Sequence, residues 1–340
     1  MSQPFATNET SLLMLSELVT RLKRSLSIQH KQDIQTAAIA LGGDWQSDRV
    51  LLGDDCAAIP DGDGYLLLAA EGMLPQLLET DPWFAGWCAV MVNVSDIYAM
   101  GGTPIAIVDT LWSQSPESTQ ELWEGMKDAA RTYNVPIVGG HTNCHSPYNA
   151  LSVAILGRAK QLITSFHAKP NDLLLVAVDF RGKSHPDYPF WNAATTADPV
   201  RLRENLSILP RLAESGLCDA GKDISNGGIL GTLLMLLETS GCGAVLDLDK
   251  IPCPAEIPLE HWLISFPSYG FLLSVRPDRV AEVQTQFHQQ DLVCEVVGEV
   301  QPTTVLILRQ NPSFQESQRE SVQFWNFAQQ PLTGFSQNRA

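Results

Sequence analysis

The sequence predicts an α+β protein of two domains with mainly antiparallel sheets, and three observations carry that prediction. At 340 residues the chain can bury more than one core. Apolar strands and amphipathic helices follow one another without a regular strand–helix–strand alternation. A turn-rich stretch, Ala168-Lys169-Pro170-Asn171-Asp172, separates halves that share a strand-then-helix rhythm. The domains are expected at residues 1–160 and 161–340.

Each element follows from local pattern. Residues 10–27 set Leu12, Leu13, Leu15, Leu18, Leu22 and Leu26 at helical spacing, with Lys23 and Arg24 late in the helix, where cations suit its dipole. A short helix over 32–41 ends at Gly42-Gly43. Leu66 to Ala70 reads as a buried strand running into Glu71-Gly72. Residues 85–100 form a largely apolar helix stopped by Gly101-Gly102. A strand over 105–110, a helix over 117–133 entered through Ser115 and Pro116, and strands over 135–138 and 150–157 complete the first half. The second half begins with strand 173–178 and an irregular loop over 181–197. Helices are expected at 199–215, 227–240 and 277–289, and strands at 244–248, 271–275, 292–300 and 304–309. Residues 310–340 are rich in Gln, Ser and Asn, but Phe314, Phe324, Trp325 and Phe327 mark a segment that packs back.

Bulk composition narrows the function. An apolar content of 44% with 18% charged residues is that of an ordinary globular protein. The net charge of −16 leaves no basic stripe for nucleic acid, and an anionic nucleotide would be repelled unless metal ions accompanied it. Cysteines 56, 88, 144, 218, 242, 253 and 294 are scattered without a CxxC pair, which reads as reduced thiols in a cytoplasmic protein. No apolar run reaches membrane-spanning length.

Four stretches pair acidic or amide residues with glycine. They are Gly53-Asp54-Asp55-Cys56-Ala57-Ala58, Asn93-Val94-Ser95-Asp96 running on to Gly101-Gly102, Val138-Gly139-Gly140-His141-Thr142-Asn143, and Asp223-Ile224-Ser225-Asn226-Gly227-Gly228. Carboxylates take hard cations through oxygen, and glycine lets backbone N–H groups approach phosphate. Asn93 and Asp96 share one face of a helix that is otherwise apolar all round, and a buried carboxylate needs a partner or a metal. Gly53-Asp54-Asp55 is either a turn or a source of metal ligands, with Glu71 nearby. Ser225 or Asn226 either caps the helix that follows or meets phosphate at its N-terminus, where Lys222 could add charge. Thr142 or Asn143 could touch phosphate or a metal-bound water. No P-loop, dinucleotide fingerprint or nucleophile elbow is present.

In this order the four stretches resemble the superfamily of aminoimidazole ribonucleotide (AIR) synthetase, thiamine-monophosphate kinase, selenophosphate synthetase and the hydrogenase maturation dehydratase, over about residues 50–310 and nearest to an AIR synthase-like branch. Gly53 to Ala58 is similar to the GDDAA element, Asn93 to Pro104 to NxSDxxAMGxxP, Gly139 to Thr142 to GGDT or GGHS, and Asp223 to Gly228 to D[IV]SDGG. The resemblance implies two α+β domains, an N-terminal mixed sheet that pairs across a homodimer, and ATP with Mg²⁺ at the junction. It further implies Asp55, Asp96 and Asp223 as metal ligands, Asp54 and Asn93 beside them, and Glu71 assisting. Phosphate contacts would come from Gly139, Gly140, His141, Thr142, Lys222, Ser225, Asn226 and Gly227.

The chain departs from the pattern at four places. Glu71 and His141 each replace an aspartate, Asn226 replaces the second aspartate of the last motif, and Met73-Leu74-Pro75 follows Glu71-Gly72 where the kinase carries His-Phe. No cysteine precedes Cys56, and the chain ends without the dehydratase's cysteine. The expected function is ATP- and Mg²⁺-dependent phosphoryl transfer to, or phosphate-activated ligation of, a small molecule. The alternatives are a nucleotide-binding partner protein without turnover and a structural dimer subunit.

Overall fold

The computed structural model describes residues 8–41, 50, 52–311 and 320–335. Ahead of the first sheet lie α1 (Asn8–Lys23), α2 (Leu26–Gln29), a 3₁₀ turn (His30–Asp33) and α3 (Ile34–Leu41). The expected Gly42-Gly43 stop falls outside the described residues.

The first domain is a five-stranded sheet backed by two helices. Strands β1 (Ala57–Asp61) and β2 (Gly64–Gly72) form a hairpin, followed by α4 (Pro75–Thr80), α5 (Pro82–Ala99), β3 (Thr103–Trp112), α6 (Gln120–Tyr133), β4 (Ile137–Asn143) and β5 (Ala150–Ala159). The order β1-β2-β5-β3-β4 is antiparallel except between β3 and β4. Helix α5 begins where Asp81 Oδ1 accepts from the Phe84 N–H at 3.1 Å, one turn ahead of the sequence estimate, with Pro82 at its first position. Its end follows the expected glycine stop, with the Gly101 and Gly102 N–H groups donating to Tyr98 and Ile97 carbonyls. Almost every residue of α5 is buried, because one side faces the sheet and another faces α6. Gly86 and Gly125 permit that helix crossing: a Cβ at Gly125 would lie 1.9 Å from the Trp83 carbonyl oxygen. Ser115 Oγ accepts from the Ser118 N–H at 3.4 Å ahead of a 3₁₀ turn, and α6 proper starts at Gln120.

The second domain contains β6 (Leu173–Val178), β7 (Lys183–Ser184), β8 (Phe190–Asn192), α7 (Pro199–Leu206), α8 (Ile208–Glu214), β9 (Ala220–Asp223), α9 (Gly228–Ser240), β10 (Gly243–Asp247), α10 (Leu259–Ile264), β11 (Phe266–Pro267), β12 (Gly270–Val275), α11 (Val280–His288), β13 (Val293–Gln301), β14 (Val305–Gln310) and β15 (Glu320–Asn326). Seven strands form a mixed, mostly antiparallel sheet in the order β15-β14-β10-β13-β6-β12-β9. The helix expected over 199–215 is two helices: Pro210 has no N–H to give the Leu206 carbonyl, and the chain breaks at Ser207. The loop expected over 181–197 holds β7 and β8, which pair with β11 in a small third sheet. The C-terminal segment packs back as β15, with Phe324 and Trp325 buried, while Phe314 lies outside the described residues. No described helix is long and apolar enough to cross a membrane.

Candidate metal and phosphate site

Three elements converge where the two sheets meet. Asp55 lies in the turn before β1, Asp96 in the last turn of α5 and Asp223 at the end of β9, the edge strand of the second sheet. One carboxylate oxygen from each lies within 4.8 Å of the other two. Asp96 and Asp223 are buried, and Asp55 Oδ2 and Asp96 Oδ2 have no hydrogen-bond partner. Buried polar atoms are nearly always satisfied, and clustered carboxylates repel. An all-oxygen donor set with unpartnered oxygens therefore fits a hard divalent cation.

Burial without such a cation discourages ionisation. It pushes Asp223 up to about 8, helped by Asp55 and opposed by Lys222. Asp96 is pushed well above the usual carboxylate range by burial and then by Asp223.

Lys222 stands one residue before Asp223 on β9, and its side chain, like that of Asp223, reaches Asp55. Its side chain is 2% exposed, its ammonium touches Asp55 and lies 3.5 Å from Asp54. Burial opposes that charge, yet Asp55 and Asp54 hold the ammonium above its ordinary pKa. Lys222 is thus not a solvated lysine; it neutralises the turn that carries Asp55. Asp54 is likewise committed, accepting from the Ser165 N–H at 2.8 Å and the Asp55 N–H at 3.0 Å. It stands outside the three-carboxylate group, as does Glu71, which lies at the cavity wall. Asn93 is buried behind Asp96, donating to the Ala89 carbonyl at 2.8 Å and leaving its own oxygen unpartnered.

The carboxylates open into a cavity of about 610 Å³. One wall is α5 itself: Asp96, Met91, Cys88 and Phe84 follow one another along it. That is about 18 Å of helix, since twelve residues rise 1.5 Å each. The end away from the carboxylates is apolar, closed by Leu77, Phe84, Phe190 and Phe266. At the carboxylate end stands the N-terminus of α9. Its entry needs Gly227 at φ +95° and Gly228 at φ +63°, conformations that cost a side-chain-bearing residue free energy. Neither Ser225 nor Asn226 caps this helix, because no side-chain cap bond forms. Ser225 Oγ instead accepts from Lys31 Nζ at 3.2 Å, and Asn226 lines the cavity.

Gly139, Gly140, His141 and Thr142 are placed elsewhere. They lie on β4, the exposed edge strand of the first sheet, and do not line this cavity. Conversely, Lys31, Thr333 and Phe335 line it without having been anticipated. Residues 29–33 and 333–335 carry none of the acid-and-glycine pattern that marked the other site residues. The first segment packs down through Ile28, which is buried.

Against this geometry the comparisons fall into place. An uncharacterized protein of Synechocystis sp. is 56% identical over 95% of this chain and 99% of its own length. A thiamine-monophosphate kinase of Pyrococcus horikoshii is 28% identical over 71% of this chain and 82% of its own. The solved structure of T. maritima PurL complexed with ATP superposes with a TM-score of 0.64 at 20% identity, covering 84% of this chain. This chain spans 47% of that PurL, about half its length, and the likeness establishes the fold. Residues 53–159 match the family described as AIR synthase related protein, N-terminal domain, and residues 176–310 match the corresponding C-terminal domain. The chain belongs to the AIR synthase related protein family.

Proposed function

We propose that the protein binds ATP with Mg²⁺ at the Asp55–Asp96–Asp223 cluster and transfers the γ-phosphoryl group to a small-molecule acceptor, or uses it to activate the acceptor for ligation. The observation that carries this reading is the cluster itself: three carboxylates within 4.8 Å, two of them with unpartnered oxygens. When bound there, the metal neutralises charge on the phosphates and fixes in-line geometry. The chain's own contribution is positioning. Lys222 holds the Asp55 turn in place, Asp96 and Asp223 come from rigid elements, and the N-terminus of α9 with Ser225 and Asn226 presents donors to phosphate. The apolar arm along α5 suits the body of the acceptor. The PurL neighbour holds ATP and a curated relative is a kinase, which supports the nucleotide reading.

The first sheet supports a homodimer. Leu68 and Val108, 47% and 42% exposed, point away from α5 and α6, and Val138 on the edge strand is 63% exposed. A second copy laid on this face would bury them. The replacement of aspartate by His141 and Asn226 favours the other reading, a nucleotide-binding partner protein without turnover. Calorimetry with an ATP analogue separates the outcomes. Binding that requires Mg²⁺, disappears in EDTA and is weakened strongly by Asp96→Asn supports the site. No binding by the wild type under any condition sinks both nucleotide readings.

A further inference from the structure

We propose that Lys31 contacts the transferred phosphoryl group, so that the helical segment ahead of the first sheet supplies part of the phosphate site; this rests on the nucleotide reading above. Lys31 reaches over the N-terminus of α9 rather than into solvent. Its Nζ lies 3.2 Å from Ser225 Oγ, and its stem crosses Gly227 and Gly231. A Cβ on Gly227 would come within 3.3 Å of the Ser27 carbonyl and 3.6 Å of Lys31 Cε; one on Gly231 would lie 3.9 Å from Cε. The lysine stem thus runs along the first turn of α9, and the tight approach there is between Gly227 and the Ser27 carbonyl.

Its charge is unspent. Lys222 is committed to Asp54 and Asp55, whereas Lys31 forms no salt bridge among the described residues. Lys31 lines the same cavity as Asp55, Glu71, Asp96 and Asp223; burial holds its ammonium below the ordinary lysine range, while Asp223, Glu71 and Asp55 favour its charge. Between them lies a place bounded by carboxylates on one side, and by an ammonium, a hydroxyl and a helix N-terminus on the other. A phosphoryl group would fit that polarity: Asp55, Asp96 and Asp223 would hold a cation that neutralises part of its charge, and Lys31 would meet the rest.

The segment is also anchored, which spares the entropy of ordering a free lysine at binding. Ile28 is 1% exposed, and Gln35 Nε2 donates to the Pro331 and Leu332 carbonyls at 3.1 and 2.9 Å, tying the segment to the C-terminal tail.

The test compares a non-hydrolysable ATP analogue with ADP, each with Mg²⁺, by calorimetry on full-length wild type, Lys31→Met and Lys31→Arg. Loss of one charge-assisted contact to the transferred group should weaken analogue binding about tenfold or more in Lys31→Met, leave ADP within about twofold, and be partly restored in Lys31→Arg. Melting temperatures of the three proteins report whether the fold is intact. Unchanged analogue binding in Lys31→Met overturns the proposal, and so does an equal loss for both nucleotides, which marks a merely structural segment. Absence of binding by the wild type removes the nucleotide reading itself, and this assignment with it.

Discussion

The Lys222 ammonium is in direct contact with the Asp55 carboxylate on a side chain 2% exposed, one residue along β9 from the Asp223 that faces the same aspartate. Asp55 therefore bridges two roles: one oxygen is neutralised by lysine, and the other has no hydrogen-bond partner and stands ready for a cation. Removing the lysine should unbalance the turn. Lys222→Met leaves Asp54 and Asp55 without compensation and should cost about 3–5 kcal/mol in urea unfolding of the metal-free protein. Mg²⁺ should recover only part of this, because Asp54 is turned toward the Ser165 N–H. A loss under about 1 kcal/mol, the scale of an exposed pair, would show that the buried pair contributes no more than a surface one.

Asp96→Asn should separate function from stability. The variant removes a cluster carboxylate that burial already disfavours as an anion. Mg²⁺ or Mn²⁺ binding should be lost, while the metal-free melting temperature stays level or rises. A large drop in that temperature would mean that Asp96 has a structural partner the geometry does not reveal.

The same groups set a pH dependence. With Asp223 raised to about 8 and Asp96 also raised, the folded protein holds protons that the unfolded chain releases near pH 4. Between those values the folded state binds more protons, so metal-free stability falls as pH rises. Melts in EDTA at about pH 6 and about pH 8, where ordinary carboxylates are already ionised, should show the decline. An Asp96→Asn/Asp223→Asn double variant should lose most of it, and Mg²⁺ should stabilise the wild type more at the higher pH. Equal slopes in wild type and double variant would remove these carboxylates as the cause.

Glu238 fastens the C-terminal tail beside the cavity. Its buried carboxylate accepts from the Leu332 and Thr333 N–H groups at 2.8 and 2.7 Å, from the Thr333 hydroxyl at 2.6 Å and from the Gly334 N–H at 3.3 Å. Glu238→Gln keeps the volume but loses the charge, and should cost about 1.5–3 kcal/mol, the range for hydrogen bonds to a charged group. Hydrogen exchange at residues 332–334 should accelerate in the variant. Unchanged protection there would show that the tail is held by Phe335 on Gly53 instead.

The exposed sheet face gives a test of assembly. A Leu68→Lys/Val108→Lys pair places charge on the face proposed to meet a second copy and should yield a monomer in sedimentation while the isolated fold is retained. An unchanged sedimentation coefficient would move the dimer contact elsewhere.

Periodicity and glycine chemistry are local, and they were legible from the residues alone. The apolar run of α5, its glycine stop after Ala99, most strands of the two sheets (though not β1 or β9) and the packed-back Phe324 and Trp325 follow from side-chain patterns within a few turns of chain. The recurrence of Asp and Gly around Asp55, Asp96 and Asp223 likewise pointed to candidate cation ligands, and the fold brings these three carboxylates together. What the sequence could not say was which polar groups share a space. Asp54 and Asp55 are adjacent, yet only the fold shows that one is tied to Ser165 while the other keeps a free oxygen. Lys222 reads as an ordinary surface lysine until β9 turns it into the protein beneath Asp55. Lys31 lies 194 residues from Ser225, and their meeting depends on how a polar-looking segment packs over α9. The Gly139–Thr142 strand reads as part of the same site but lies on a sheet edge away from the cavity. Charge pairing, desolvation and access depend on distances between elements remote in sequence, so only the tertiary structure decided them.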